Sequence, residues 1–219
     1  IAPRLERKGI KFIASRCERI DAENARLELN NGEVVEYDYL VIATGPRLAF
    51  EEVEGAGPDT GNSHSICTVD HAEKACEDYN RLLEKGSGTI VIGAMPFASC
   101  FGPAYEFAFI VDADLRKRKM RDKVHIKYVS SEPYIGHLGL GGVGDSKGML
   151  ESEMRNHHIP WVVNAKTTRV EAGKLHCEEY NEDGTKKTDH EIEFDLAMMR
   201  LFGGFGADCT EHLLEARLL

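Results

Sequence analysis

No stretch of this 219-residue sequence stays apolar for the ~18–20 residues that a membrane-crossing helix needs, and the opening Ile1-Ala2-Pro3-Arg4 lacks the pattern of a secretory signal. Positive charge is also short. Lys and Arg number 27 against 37 Asp and Glu, a net charge of −10, and phosphate neutralisation needs clustered bases, so no nucleic-acid partner is expected. The six cysteines, Cys17, Cys67, Cys76, Cys100, Cys177 and Cys209, include no C-x-x-C pair and no ligand spacing for zinc, so no metal is expected. There is no internal repeat and no low-complexity tract. What remains is a compact soluble body of one large or two small domains. A first residue other than methionine, in what reads as the middle of a domain, points to a segment of a longer protein.

Along the chain, short strands are expected at Ile10–Ala14, Ala25–Leu29, Val34–Tyr37 and Tyr39–Ala43, separated by turns such as Asn30-Asn31-Gly32, which makes a small β-meander. The last of these is continuously apolar and stops at Gly45-Pro46, as a buried parallel strand would. Residues 55–65, rich in Gly, Asp, Pro and Ser, read as a linker. A helix follows, with Asp70 as N-cap, Glu73 as its capping-box partner, and Ala72, Ala75, Tyr79, Leu82 and Leu83 as its apolar stripe. Cys76, within that stripe, reads as core. Thr89–Gly93 is a buried strand, Pro103 opens a second helix, and Val124–Ser130 is a second strand. This order predicts a parallel βαβ unit with ligands at the carboxyl ends of its strands. A helix over about Asp145–His157 and strands near Ile159–Val163, Arg169–Glu171, Leu175–Glu178 and Glu191–Leu196 complete the reading.

Several motifs carry possible chemistry. Ala43-Thr44-Gly45-Pro46, at a strand end, can bring backbone N–H groups close to a pyrophosphate, and reads equally as a structural turn. Gly93-Ala94-Met95-Pro96-Phe97-Ala98 stands where a G-x-G-x-x-G fingerprint would lie. Met95 and Ala98 replace its second and third glycines, and a methionine there is expected to obstruct a dinucleotide phosphate, which argues against hydride donation by NADH. Cys100 lies just before the Pro103 helix and Cys67 three residues before Asp70. A helix N-terminus favours thiolate, so each is a redox candidate, with packing as the bland alternative. His71 is either a cap-like residue or an active group, and His137 sits in the glycine-rich loop 136–142, where active groups are often held. Arg116-Lys117-Arg118-Lys119 with Arg121 reads as a solvated helix end or a lipid-facing patch. His157-His158 reads as a helix end rather than a metal pair.

Three blocks in this order resemble the sulfide:quinone oxidoreductases. They are Ile66-Cys67-Thr68-Val69-Asp70-His71-Ala72, then Val91-Ile92-Gly93-Ala94 with Ser99-Cys100-Phe101-Gly102-Pro103-Ala104-Tyr105-Glu106-Phe107, then Ser131-Glu132-Pro133-Tyr134-Ile135-Gly136-His137-Leu138-Gly139. The similarity runs from about Leu5 to Met199. It implies an α/β fold: a Rossmann-like FAD/NAD(P)-binding domain with a small β-meander and part of a first FAD-binding domain. It also implies an FAD enzyme that oxidises sulfide through cysteine persulfides and passes electrons to a quinone. By resemblance Cys100, Cys67, His71 and His137 are catalytic, and Thr44, Gly45 and Pro46 contact the flavin. The division expected is 1–57 for the partial FAD-binding domain, 58–199 for the Rossmann-like domain and 200–219 for a divergent tail.

The family's amino-terminal pyrophosphate-binding half is missing, as is the region that supplies a second redox cysteine and the quinone pocket. The chain is therefore expected to be a central segment, soluble by itself, of a parent peripheral to the cytoplasmic membrane. The tail reads either as an amphipathic helix or as unrelated sequence, and Cys209 does not resemble the missing cysteine. Uncovered apolar surface predicts self-association into a homo-oligomer. Two other readings stand beside this one: an NADH:quinone-type flavin oxidoreductase, and a non-catalytic Rossmann-like remnant.

Overall fold

The computed structural model of the chain describes residues 2–43, 48–96, 98 and 101–200, with Arg200 as backbone only. The described residues divide into two compact units, 2–43 and 48–200.

The first unit carries a short helix α1 (Ala2–Glu6) and an antiparallel three-stranded meander of β1 (Cys17–Asp21), β2 (Arg26–Leu29) and β3 (Val34–Glu36). Two expected strands are corrected. Ile10–Ala14 forms no strand, and the first strand of the meander is instead Cys17–Asp21, a polar stretch that lacks an apolar signal. Tyr39–Ala43 is likewise unpaired, with Tyr39 93% and Val41 86% exposed. An apolar strand is stable only with neighbours for its N–H and C=O groups, and no described strand supplies them.

In the second unit, four parallel strands form the central sheet: β4 (Gly88–Ala94), β5 (Val124–Ser130), β6 (Trp161–Val162) and β10 (Leu196–Arg200), in the order β10-β4-β5-β6. Because successive side chains alternate across a strand, Ile90 and Ile92 of β4 enter one core while Val91 enters the other. The first core is covered by α2 (Val69–Lys85), α3 (Gly102–Lys117) and α4 (Ser146–Asn156), through Ala75, Leu82, Ala108, Leu115 and Met154. The second is covered by an antiparallel sheet of β7 (Ala165–Glu171), β8 (Lys174–Tyr180) and β9 (Lys186–Glu193), and by residues of the segment 49–56. The unit is thus three-layered, with the βαβ crossover β4-α3-β5 at its centre. Among the described residues no helix is long and apolar enough to cross a membrane.

Four further readings change. The segment 55–65 is no free linker. Val170 N–H donates to Glu54 O at 2.8 Å, Asn62 Nδ2 donates to Val170 O at 3.0 Å, and a Cβ on Gly55, at φ +70°, would run into Val170 O. The α2 N-cap is Thr68, whose hydroxyl accepts from His71 N, in place of Asp70. Cys76 is exposed, because it lies beside the buried stripe of Ala75 and Leu82 rather than within it. The single strand expected near Glu191–Leu196 is two: the segment spans the end of β9 and the start of β10. The break falls at Asp195, whose carboxylate accepts from Thr89 N and pairs with Lys85 while its own N–H donates to Thr89 O.

A buried ion cluster locks the amino-terminal edge of the sheet. Asp112, fully buried on α3, accepts from Arg116 Nε, Arg121 Nε and His157 Nδ1, each at 2.6 Å. Arg121 also donates to Val124 O and to the carbonyls of His157 and His158 at the end of α4. Three members of the basic run are therefore committed internally, since Arg118 pairs with Asp114. His157 serves this cluster.

Candidate functional site

The carboxyl ends of β4, β5 and β10 open on one edge, where the chain brings its chemistry-bearing loops. His64 N–H donates to Ala197 O at 2.7 Å and Met199 N–H donates to His64 O at 3.0 Å, so the segment before Cys67 runs parallel to β10 and delivers Cys67 to that edge. Cys67 is free and exposed, with its N–H donating to the hydroxyl of buried Ser65. It shares a narrow crevice with Gly93 at the end of β4 and with Pro103, Ala104 and Phe107 at the start of α3. Cys177 is its opposite: burial in the second core pushes that thiol up to about 12, so it stays protonated and inert.

Gly93 has a steric reason to be glycine. A Cβ there would strike the backbone O of Val129 on β5, so the first glycine of the motif is required by the approach of the two strands. The Met95 side chain is fully buried in the second core. This corrects the expectation that it obstructs the loop: its side chain fills space between the sheets. Phe101 caps α3 without any side-chain hydrogen bond, Pro103 in the first turn has no N–H to offer, and Ala104 N–H donates back to Phe101 O at 3.0 Å, so what this end of the helix contributes is chiefly the positive end of its dipole. Cys100 in that loop lies outside the described residues, as do Thr44, Gly45 and Pro46.

His71, in the first turn of α2, packs edge-on against Phe50 at 6.1 Å and has Nε2 3.7 Å from Asp59 Oδ2. It is not among the residues lining the Cys67 crevice. Asp59 itself is held below its ordinary value by the hydrogen bond from Lys74. His137 is half-buried in the turn after β5. Its ring meets Tyr134 edge-on at 5.2 Å, and its Nδ1 is buried without a hydrogen-bond partner.

A buried network supports this turn. Glu132, fully buried at the end of β5, accepts from Tyr105 Oη at 2.6 Å, from Ser130 Oγ at 2.9 Å and from Leu138 N at 2.8 Å. Tyr105 Oη in turn accepts from Gly136 N at 3.1 Å, and the Tyr105 ring stacks on Tyr128 at 4.7 Å. Burial, with Glu132 adding to it, pushes the Tyr105 hydroxyl up, so it remains a donor. Ser131 ties this loop to the one after β4, through Ser131 N to Ala94 O at 3.2 Å and Ser131 Oγ to Met95 O at 3.1 Å. Sequence reasoning passed over Glu132 and Tyr105 as parts of quoted blocks. A carboxylate two residues after the end of a largely buried strand was the available signal, since such a group is buried only where donors meet it.

A family model described as pyridine nucleotide-disulphide oxidoreductase matches residues 3–216, and the chain belongs to that family. Within it, the chain is 42% identical over 181 residues to the sulfide-quinone reductase of Aquifex aeolicus, covering 83% of this chain and 41% of that protein. It is 25% identical over 123 residues to the mitochondrial sulfide:quinone oxidoreductase of Mus musculus, covering 54% of this chain and 26% of the relative. The crystal structure of the Aquifex aeolicus sulfide:quinone oxidoreductase superposes with a TM-score of 0.84 at 37% identity, over 97% of this chain and 47% of that one. A ferredoxin reductase from Rhodopseudomonas palustris, at 19% identity and a TM-score of 0.61, shares the fold. The chain thus spans less than half the length of the curated relatives it matches.

Proposed function

We propose that this chain is the central segment of a flavin-dependent sulfide:quinone oxidoreductase, with Cys100 as the sulfur carrier. The observation that supports it most is the convergence of Cys67, the amino end of α3 and the His137 turn on one edge of the parallel sheet, in a chain so similar to the Aquifex aeolicus enzyme.

In this reading hydrosulfide attacks Cys100 while it is disulfide-bonded to a second cysteine. The new S–S bond is a Cys100 persulfide, the old S–S bond breaks, and the second sulfur leaves as a thiolate that holds the electron pair. The positive end of the α3 dipole stabilises negative sulfur nearby, and His137 takes the proton that hydrogen sulfide gives up. Cys67, exposed in its crevice, is an accessory thiol that can accept or relay sulfur. His71 acts with less directness, since its ring faces Phe50 and Asp59.

FAD, when bound, supplies the two-electron acceptor and passes the electrons on to quinone. The crevice is too narrow to enclose a ring, but its lining of small or apolar residues, Gly93, Pro103, Ala104 and Met199, with no charged side chain, would suit contact with the face of a flat, uncharged one. Thr44, Gly45 and Pro46 would hold it. Association with the surface of the cytoplasmic membrane follows from the need to reach quinone.

The test is an absorbance scan of the full-length protein from about 350 to 500 nm, where flavins absorb. Sulfide should bleach the flavin band and NADH should leave it. Bleaching by NADH alone would favour an NADH:quinone-type enzyme, and a colourless protein that takes up no FAD would favour the non-catalytic remnant.

Exposed Tyr39, Val41 and Ile110 also support self-association into a homo-oligomer. Light scattering should then give a mass above that of one chain, and a stable monomer at high concentration would overturn this.

A further inference from the structure

We propose that Glu132 is the positioning residue for His137, an inference that rests on the sulfide-oxidising role given to His137 above. A carboxyl group taken entirely out of water is tolerated only when donors replace the water it loses. Glu132 has no basic partner in any described ion pair, and its donors are two hydroxyls and one backbone N–H. A fold needing only stability could fill this space with a hydrocarbon side chain. The bonds of Glu132 go instead to the two residues that flank His137. Leu138 N donates to it directly, and Gly136 N is held through the Tyr105 hydroxyl that donates to it. These bonds fix the backbone on both sides of one histidine, in a turn where Gly136 and Leu138 both take positive φ, of 85° and 58°.

The same network joins the two halves of the edge. Tyr105 belongs to α3, the helix that begins just after Cys100, so one carboxyl group sets the distance between the start of that helix and the His137 turn. Its effect on catalysis passes through His137, and Glu132 itself touches no substrate.

The experiment is a double-variant cycle on the full-length FAD-loaded protein. Flavin reduction by sulfide is followed by stopped flow in the wild type, Glu132→Gln, His137→Ala and the combination. Glutamine keeps the shape but turns an NH2 donor toward donors, so at least one bond is lost. Misplacement of the histidine should slow reduction at saturating sulfide by about tenfold or more, with the sulfide concentration for half-maximal rate changed much less. The combined variant should be no slower than His137→Ala, because a positioning residue has nothing left to position. Losses that multiply, a Glu132→Gln protein as fast as the wild type, or a fast His137→Ala protein would each overturn the proposal.

Where Glu132→Gln fails to fold, Tyr105→Phe keeps the ring stack on Tyr128 and removes only the hydroxyl, and it should show the same masking by His137→Ala. The imidazole NMR signals of His137 should move in both variants while those of exposed His125 stay in place. That readout needs no sulfide. Wild-type flavin unreduced by sulfide sinks the functional reading alone, whereas unmoved His137 signals sink the positioning role.

Discussion

Replacing Cys100 by serine in the full-length protein should leave the flavin bound and coloured but no longer bleached by sulfide, with the rate of reduction down by about a thousandfold or more. Serine has nearly the same volume and keeps a hydrogen-bonding group, so the loop need not rearrange. Its oxygen, however, cannot form the S–S bonds on which the carrier role depends. Cys67→Ser should cost far less, about tenfold, because an accessory thiol leaves the main transfer intact. The pair of variants separates the two cysteines: equal losses would assign both to the main transfer, and retained bleaching in Cys100→Ser would remove it from the mechanism. Stopped-flow absorbance at the flavin band measures both.

The second large effect concerns the fold. Arg121→Ala should destabilise the protein by about 3–5 kcal/mol, since it leaves Asp112 buried with a lost partner and frees three carbonyls at the junction of α3, β5 and α4. Urea unfolding measures it, and a loss under about 1 kcal/mol would show that the cluster contributes little. The pH dependence carries a sign that can be checked in the same experiment. Burial alone would raise Asp112, but hydrogen bonds from Arg116, His157 and Arg121 outweigh it and hold the group below its ordinary value of 3.8. A carboxylate depressed in the folded state stabilises it fully above the unfolded value, and this contribution fades as pH falls through the folded value. Wild type should therefore lose stability more steeply than Arg121→Ala as the medium is acidified below pH 3.8.

The βαβ core was legible because its signals are local. Val124–Ser130 is apolar enough to be recognised alone, and Pro103 marks the first turn of α3. What escaped the reading depends on partners far along the chain. Cys17–Asp21 is a strand because β2 lies beside it, and nothing in its own polar sequence says so. The run 191–196 looked continuous, and only the bonds of Asp195 to Lys85 and Thr89, more than a hundred residues away in sequence, reveal the break. Residues 55–65 have the composition of a linker, yet Asn62 and Gly55 meet Val170 across the unit.

Of the candidate site, only the placement of some residues can be set against the sequence, and there the same reasons apply. Residue types named Cys67 and His137, and the fold brings both to the carboxyl edge of the sheet. The position of the His71 ring against Phe50 had no local signature, and neither did the buried status of Met95 or Glu132. Burial is a property of the finished packing, so a sequence shows which side chains could be satisfied inside but not which of them are.

The late arrival of β10 bears on how the chain is made. β4 gains its second neighbour only when Leu196–Arg200 has left the ribosome, about a hundred residues after β4 itself, and the whole antiparallel sheet β7-β8-β9 is synthesised in between. Until then one side of β4 keeps unsatisfied backbone groups among strongly apolar neighbours, which favours slow folding and a stage at which chaperones hold the nascent chain. Slowing translation through residues 165–195 would lengthen that vulnerable interval.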